Sequence, residues 1–536
     1  MNRRGFVHTT IASSLALTAG AEAQTAGAKA PIVPAFELDE VTVDQLGQMM
    51  RDGSHSSRAI TSLYLRRIEA LNQKGPELRA VIETSPDALA DADALDKERK
   101  QKGPRGPLHG IPVLLKDNIG TADRTQTGAG SLALATWTPK KDAFIAARLR
   151  AAGAVILGKA NMSEWAYFRA SSAVSGWSGR GGQTRSPYAL DRNPQGSSSG
   201  SGVAVAANMA AVTVGSDTGG SIVWPASANN CVGIRPTQGL ISRAGVIPLS
   251  ETQDTVGPMT RTVRDAAIML GIMGGADPDD AITITSRGHN QPDYTKFLDP
   301  KGLRGARLVV AREYFGVHHR MDVEMEKCLD ALRREGAILM DHNEGLTASA
   351  FGADMREVFL YDFKANLDDY LKQTPANFPV RSLKDVIEFN EKNRNREMPW
   401  FEQDLMIKAE AKGPRTEQRY KDARANCLRL ARTEGIDAAL IKHKADAIIA
   451  PTLTPPCLID WVSGDGRMNG CSTIGTVAGY PHISVPGGFV HGLPVGFSFF
   501  GPAWSEPTLL KFAYAFEQIT KHRRKPGFLP TVSFGA

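Results

Sequence analysis

The sequence predicts an α/β fold, from short apolar runs of strand length, stretches of helical spacing between them, and Gly or Pro at most of the junctions. Thr42 and Gln45 form a capping box, with Val43, Leu46 and Met49 following at helical spacing. Ile60, Leu63, Tyr64, Ile68 and Leu71 mark a second helix. Ala80 to Thr84 reads as a strand. Ser85-Pro86 then reads as an N-cap followed by proline at the first helical position, opening a helix toward Arg99. Ile111 to Lys116 is a buried strand with Lys116-Asp117-Asn118 at its end. A helix from Asp142 to Ala152, stopped by Gly153, leads into the strand Ala154 to Gly158.

From Asp191 to Pro225 the chain is rich in Gly and Ser, but Val203 to Val214 reads as a helix and then a strand, so the stretch is a loop–helix–strand–loop unit and not a linker. Residues 300 to 445 carry helical patterns, including Val323 to Arg334 and Met355 to Leu371, and read as a more variable helical lobe. Pro451 to Gly501 returns to strand-like pieces, and Ser505-Glu506-Pro507 caps a last helix through Leu510, Tyr514 and Glu517. With no separating linker and no repeat, residues 37–530 are expected to form one domain.

Composition excludes several classes. The 536 residues are 42% hydrophobic, enough for a sizeable core, and 63 Lys and Arg against 57 Asp and Glu are spread without a basic run, which speaks against nucleic-acid binding. No later segment has 18 uninterrupted apolar residues, so a soluble mature chain without a membrane span is expected. Cys231, Cys328, Cys427, Cys457 and Cys471 lack C-x-x-C spacing, so no zinc site is indicated and buried thiols are expected, with a single disulfide possible in an oxidising compartment. No metal or organic cofactor is implied. Residues 1–23 differ from the rest: Arg3-Arg4, a weakly apolar run from Thr9 to Gly20, and Ala21-Glu22-Ala23 read as a twin-arginine-type export signal, and hence a periplasmic or secreted protein.

An amide hydrolase needs a nucleophile, a base, an acid for the leaving amine and donors for the oxyanion. Ser221 ends Thr218-Gly219-Gly220-Ser221, where glycines let backbone N–H groups converge. Lys116 ends a buried strand, where desolvation would leave a neutral amine, and Ser197 could relay a proton between the two. Residue types alone leave plainer readings open, since a Ser in a Gly-rich loop is commonly a turn residue and a strand-end Lys commonly reaches solvent.

Gly196-Ser197-Ser198-Ser199-Gly200, followed 24 residues after Ser197 by Asp217-Thr218-Gly219-Gly220-Ser221-Ile222 and then Pro225-Ala226, resembles the signature of the amidase signature family. Gly106 to Asn118 is similar to that family's lysine segment, and Gly492-Leu493-Pro494-Val495-Gly496 to its C-terminal hairpin. Asn161 to Ala166, Ser175 to Ser178, Arg180 to Arg185 and Ala503 to Pro507 resemble bacterial peptide amidases, which remove the C-terminal amide from peptides. The resemblance covers about residues 37 to 525. It implies a large mixed sheet covered by helices on both faces, Ser221 as the acylated nucleophile, Ser197 on a cis peptide bond as the bridging serine, and Lys116 as the final base. It further implies an oxyanion hole from the N–H groups of Thr218, Gly219, Gly220 and Ser221, a Ser198 hydrogen bond to Lys116, and Asp217 as the brace of the loop. The implied substrate is a small-molecule or short-peptide amide.

The sequence departs from the family at Val223, where Arg is usual, and at Gln195, where Gly is usual, which puts the local loop path in question. Two other readings compete. Gly196-x-Ser198-x-Gly200 matches the nucleophile elbow of an α/β-hydrolase esterase using Ser198, but that motif needs a strand before it, and Asp191 to Pro194 reads as turn; His109, a conceivable base, precedes the nucleophile and reads as structural. An amidotransferase-type subunit would share the fold, against which stand the export signal and the lack of a basic patch. Phe168, Trp177 and Trp224 are candidates for an acyl pocket, with core placement the plainer reading.

Overall fold

A computed structural model describes residues 30–466 and 468–532. The export signal expected at residues 1–23 lies outside the described residues. Thirteen strands follow in chain order: β1 (Val81–Thr84), β2 (Pro112–Lys116), β3 (Val155–Ala160), β4 (Trp177–Ser178), β5 (Gly182–Gln183), β6 (Val212–Asp217), β7 (Val232–Arg235), β8 (Thr255–Thr260), β9 (Arg307–Ala311), β10 (Ile338–His342), β11 (Ala447–Pro451), β12 (His482–Val490) and β13 (Leu493–Phe500). β4 and β5 pair alone, and the other eleven form one mixed sheet in the order β1-β3-β2-β6-β8-β7-β12-β13-β11-β9-β10.

The strands that carry the site are the apolar runs of the sequence. β2, β3 and β6 are buried along their whole lengths, as parallel strands covered on both faces must be. β3 pairs parallel with β2, and β2 with β6, so their carboxyl ends emerge at one edge, the place where open α/β sheets bind ligands. The pairing of Leu115 with Val214 sets Lys116 beside the Gly215-Ser216 step. The resemblance implied helices on both faces, and the alternation along the strands bears this out. Leu308, Val310 and Ile449 share a core with Met325, Leu329, Leu510 and Phe516, while Val309, Ala311 and Ile448 join Ile436, Leu440 and Ile474.

The helix Ser199–Ala206 explains the Gly- and Ser-rich composition. All eight of its residues are buried, and a Cβ on Gly200 would lie 2.2 Å from Ala80 O and 2.5 Å from Asn161 N. Only a chain without a side chain there fits against the ends of β1 and β3. The capping box at Thr42 forms as expected. The helix after β1 starts later than the sequence indicated, at Ala88, because Ser85 Oγ accepts the Asp87 N–H at 3.2 Å in a tight turn and Asp87 takes the cap position. The last helix, Glu506–Thr520, has Pro507 in its first turn, but Ser505 Oγ makes no capping bond. The five cysteines are unpaired and all but Cys457 are buried. Among the described residues, no helix is long and apolar enough to cross a membrane.

Two carboxyls, Asp265 buried and Glu517 half-buried, tie the first helix and the last one to this core. Asp265 accepts the Val43 N–H at 3.1 Å, and Glu517 accepts the Val263 N–H at 2.8 Å. Burial pushes Asp265 up to about 6 and Glu517 up to about 7. Both pKa values are raised on folding, so the stability they contribute is present below the unfolded values and is lost as pH rises through about 6 to 7. The melting temperature is therefore expected to drop between pH 5 and pH 8, and Glu517→Gln, which keeps the acceptor, should flatten that drop in calorimetry at the two pH values.

Candidate active site

Lys116 Nζ is wholly buried, and all its hydrogen-bonding directions are occupied. It lies 2.8 Å from Ser197 Oγ, 2.9 Å from Ser216 Oγ and 3.2 Å from Ser216 O. Burial pulls its pKa down to about 7, opposed in part by the charges of Asp217 and Asp254. A neutral amine has two N–H donors and one lone pair. The Ser216 carbonyl can only accept and takes one N–H, so the second N–H and the lone pair are shared between the Ser197 and Ser216 hydroxyls, the latter also accepting from Asn118 Nδ2 at 3.0 Å. Lys116 and Ser197 are thus in direct hydrogen-bond contact.

Ser197 is held from both sides. The Gly196–Ser197 peptide bond is cis, and the Ser197 carbonyl accepts the Ser163 N–H at 3.0 Å from the loop after β3. Gln195, where glycine is usual, adopts φ +61°, the glycine-favouring conformation. It is held there by Asn193 Oδ1, which accepts its N–H at 2.7 Å, and by Ser199 Oγ, which donates to its carbonyl at 2.6 Å. The loop path in question at this position is therefore kept by neighbouring side chains. The Ser198 N–H donates to the Ser221 carbonyl at 3.1 Å, tying the two serine loops together.

Ser221 is half-buried, whereas Ser197 and Lys116 are fully buried. Its loop is organised by Asp217, which accepts the Gly220 N–H at 2.9 Å and the Ile222 N–H at 2.7 Å. Arg235, equally buried, donates to Asp217 Oδ1 at 2.9 Å and to its carbonyl at 3.1 Å. Asp217 thus braces the loop as the resemblance implied. Of the four N–H groups that the resemblance implied for an oxyanion hole, that of Gly220 is committed to Asp217. A Cβ on Gly220, at φ +122°, would lie 2.3 Å from Ser472 Oγ, whereas one on Gly219 would meet nothing within 4 Å, so the loop opens onto free space at Gly219. Thr218 Oγ1 is tied to Asp254 at 2.5 Å.

A correction concerns Ser198. Its hydroxyl donates to Ser216 O at 3.0 Å and accepts the Ser216 N–H at 3.2 Å, so it supports Lys116 through Ser216 and not directly. That burial and bonding, and the loop in place of a strand before it, remove Ser198 as a nucleophile. His109 is walled in between the Arg105 N–H at 3.2 Å and Leu95 O at 2.9 Å. Phe168 packs on Phe359 and Phe363, and Trp177 on Phe401 and the Arg169 guanidinium, so both are core. Trp224 is half-buried against Gly220 and is the one candidate beside the loop. Ser216 and Asn118 stand inside motifs the sequence singled out, yet their roles were missed; Arg235, Asp254 and Ser472 gave no local signal.

The match to known proteins follows this geometry. Residues 59–510 match the family model described as Amidase. The chain belongs to the amidase family. It is 47% identical to the native peptide amidase of Stenotrophomonas maltophilia, with a TM-score of 0.87 over 92% of this chain and 100% of that one. It is 41% identical to a probable amidase of Arabidopsis thaliana, over 92% of this chain and 93% of the relative. A glutamyl-tRNA(Gln) amidotransferase chain of Moorella thermoacetica is more distant, 35% identical over 92% of this chain and 99% of the relative. As a member of the amidase family, the chain hydrolyses carboxamide bonds. Asp217→Ala would leave the buried Arg235 charge uncompensated, and a loss of about 3–5 kcal/mol is expected in urea unfolding.

Proposed function

We propose that this amidase releases ammonia from C-terminal amides of peptides and related carboxamides, through an acyl-enzyme on Ser221. The observation that carries the reading is the buried Lys116 amine, poised near neutrality at about 7 and 2.8 Å from Ser197 Oγ. Ser221 Oγ attacks the carbonyl carbon, its proton passes to Ser197 Oγ, and the Ser197 proton passes to Lys116 Nζ. The oxyanion takes N–H groups of Thr218, Gly219 and Ser221. When the C–N bond breaks, Ser197 protonates the leaving nitrogen and recovers a proton from Lys116, and water then cleaves the ester by the same relay. The peptide-amide substrate class is supported by the similarity to the Stenotrophomonas maltophilia enzyme.

Residues 37–530 would act as one catalytic domain, exported under the signal at residues 1–23. N-terminal sequencing of secreted material should begin at Gln24, and a chain beginning at Met1 would remove the export reading.

Lys116 must be neutral to accept a proton, so kcat/KM should rise with pH through about 7, the value burial gives it. Lys116→Ala should lower kcat at pH 7.5 by at least about 1,000-fold with an unchanged circular dichroism spectrum. Retained activity in that variant would overturn the relay.

A further inference from the structure

A cleft of about 280 Å³ opens beside the site, with Asn118, Ser216 and Thr218 on one side and Asn366, Asp369 and Tyr370 from the helix Gly352–Leu371 on another. Three side-chain atoms of its lining residues have no hydrogen-bond partner among the described residues: Asn118 Oδ1, Thr255 Oγ1 and Asn366 Nδ2. Asn118, Thr255 and Asn366 are only 3%, 1% and 8% exposed. A buried polar atom left without a partner costs on the order of 1–3 kcal/mol, so three in one cleft, two of them on amides of fixed orientation, call for a ligand.

The orientation of each amide is fixed by a neighbour that has one role only. Asn118 Nδ2 donates to Ile247 O at 3.4 Å as well as to Ser216 Oγ, and a carbonyl cannot donate, so Oδ1 is the free atom and an acceptor. Asn366 Oδ1 accepts from the Arg415 guanidinium at 3.2 Å, and a guanidinium cannot accept, so Nδ2 is the free atom and a donor. The cleft therefore offers one acceptor next to the reacting end, two residues from Lys116, and one donor from the helical lobe.

We infer that Asn118 and Asn366 form a subsite for the peptide bond preceding the scissile carboxamide, with Asn118 Oδ1 accepting its N–H and Asn366 Nδ2 donating to its carbonyl. A trans secondary amide points its N–H and C=O in opposite directions, which suits partners supplied by two separate elements. A primary amide without that bond leaves both atoms buried and unsatisfied, and a site built on hydrogen bonds rejects such analogues strongly. The inference rests on the peptide-amide reading and assigns the residues that enforce it.

Ammonia release by the purified full-length chain tests it with three probes: acetyl-phenylalanine amide, its ester counterpart in which oxygen replaces the N–H, and 3-phenylpropanamide, which keeps the ring and scissile amide alone. The wild type should prefer the first over the second by about 10- to 100-fold in kcat/KM, and equal rates would overturn the Asn118 contact. Asn366→Asp keeps the acceptor facing Arg415 and removes only the donor. It should lower the kcat/KM ratio of acetyl-phenylalanine amide to 3-phenylpropanamide by about 10-fold or more, with Asn366→Ala giving the same direction. An unmoved ratio in both variants would overturn the Asn366 contact. Wild type inactive on all three probes would instead defeat the peptide-amide reading itself.

Discussion

Lys116 is an amine placed where an ammonium is costly. Its nitrogen is wholly buried at the end of β2, and the groups around it are two serine hydroxyls and a carbonyl, with no carboxylate in contact. Desolvation therefore outweighs the more distant pull of Asp217 and Asp254, and the pKa falls to about 7. A carboxylate at hydrogen-bonding distance would restore the charge and remove the base. The rest of the site meets that condition by engaging its acids elsewhere. Asp217 is engaged by Arg235 and the Ser221 loop, and Asp254 by Thr218 and the N–H groups of Leu249 and Ser250.

The sheet makes this arrangement possible. Three parallel strands, each buried along its length, deliver Lys116, the loop after Ala160 and the Asp217 turn to one edge. The helix Ser199–Ala206 brings Ser197 to the same edge, and its glycines allow the backbone approach that places it. A second buried lysine, Lys159 on β3, shows what differs. Its amine donates to Ile119 O and to Thr127 Oγ1, so it pins the loop after β2 and has no hydroxyl relay toward a nucleophile. Burial lowers its pKa also, to about 8, yet without a bridging serine the amine has no proton to collect.

The helical lobe joins the site through a buried ion cluster. Arg169 lies between the rings of Trp177 and Phe401, at 4.7 and 4.2 Å from their centroids, and donates to Glu164 at 2.7 Å. Glu397, from the lobe, accepts the Leu132 N–H at 2.6 Å, and burial together with the Glu164 carboxylate pushes its pKa well above the usual carboxylate range. The lobe that carries Asn366 is thereby fixed to the loops that follow β2 and β3. Its helices were visible as periodic patterns, but nothing in those patterns indicated which face would meet the cleft.

The sequence by itself located β1, β2, β3 and β6, the amidase signature and the positions of Lys116, Ser197 and Ser221, because apolar periodicity and a long motif are local properties of the chain, but it left β9 and β10 hidden in a stretch that reads as helical. The family resemblance also implied Asp217 as the brace of the Ser221 loop. Only the tertiary structure decided that Ser198 supports Lys116 through Ser216, that Gly220 gives its N–H to Asp217, and that Arg235 and Asp254 hold the loops. Those roles join residues distant in the chain, and which donor meets which acceptor is fixed by strand register and close backbone approach. The Ser85-Pro86 turn fell to the same cause at short range, because one side-chain hydrogen bond there outweighed the helix-start signal.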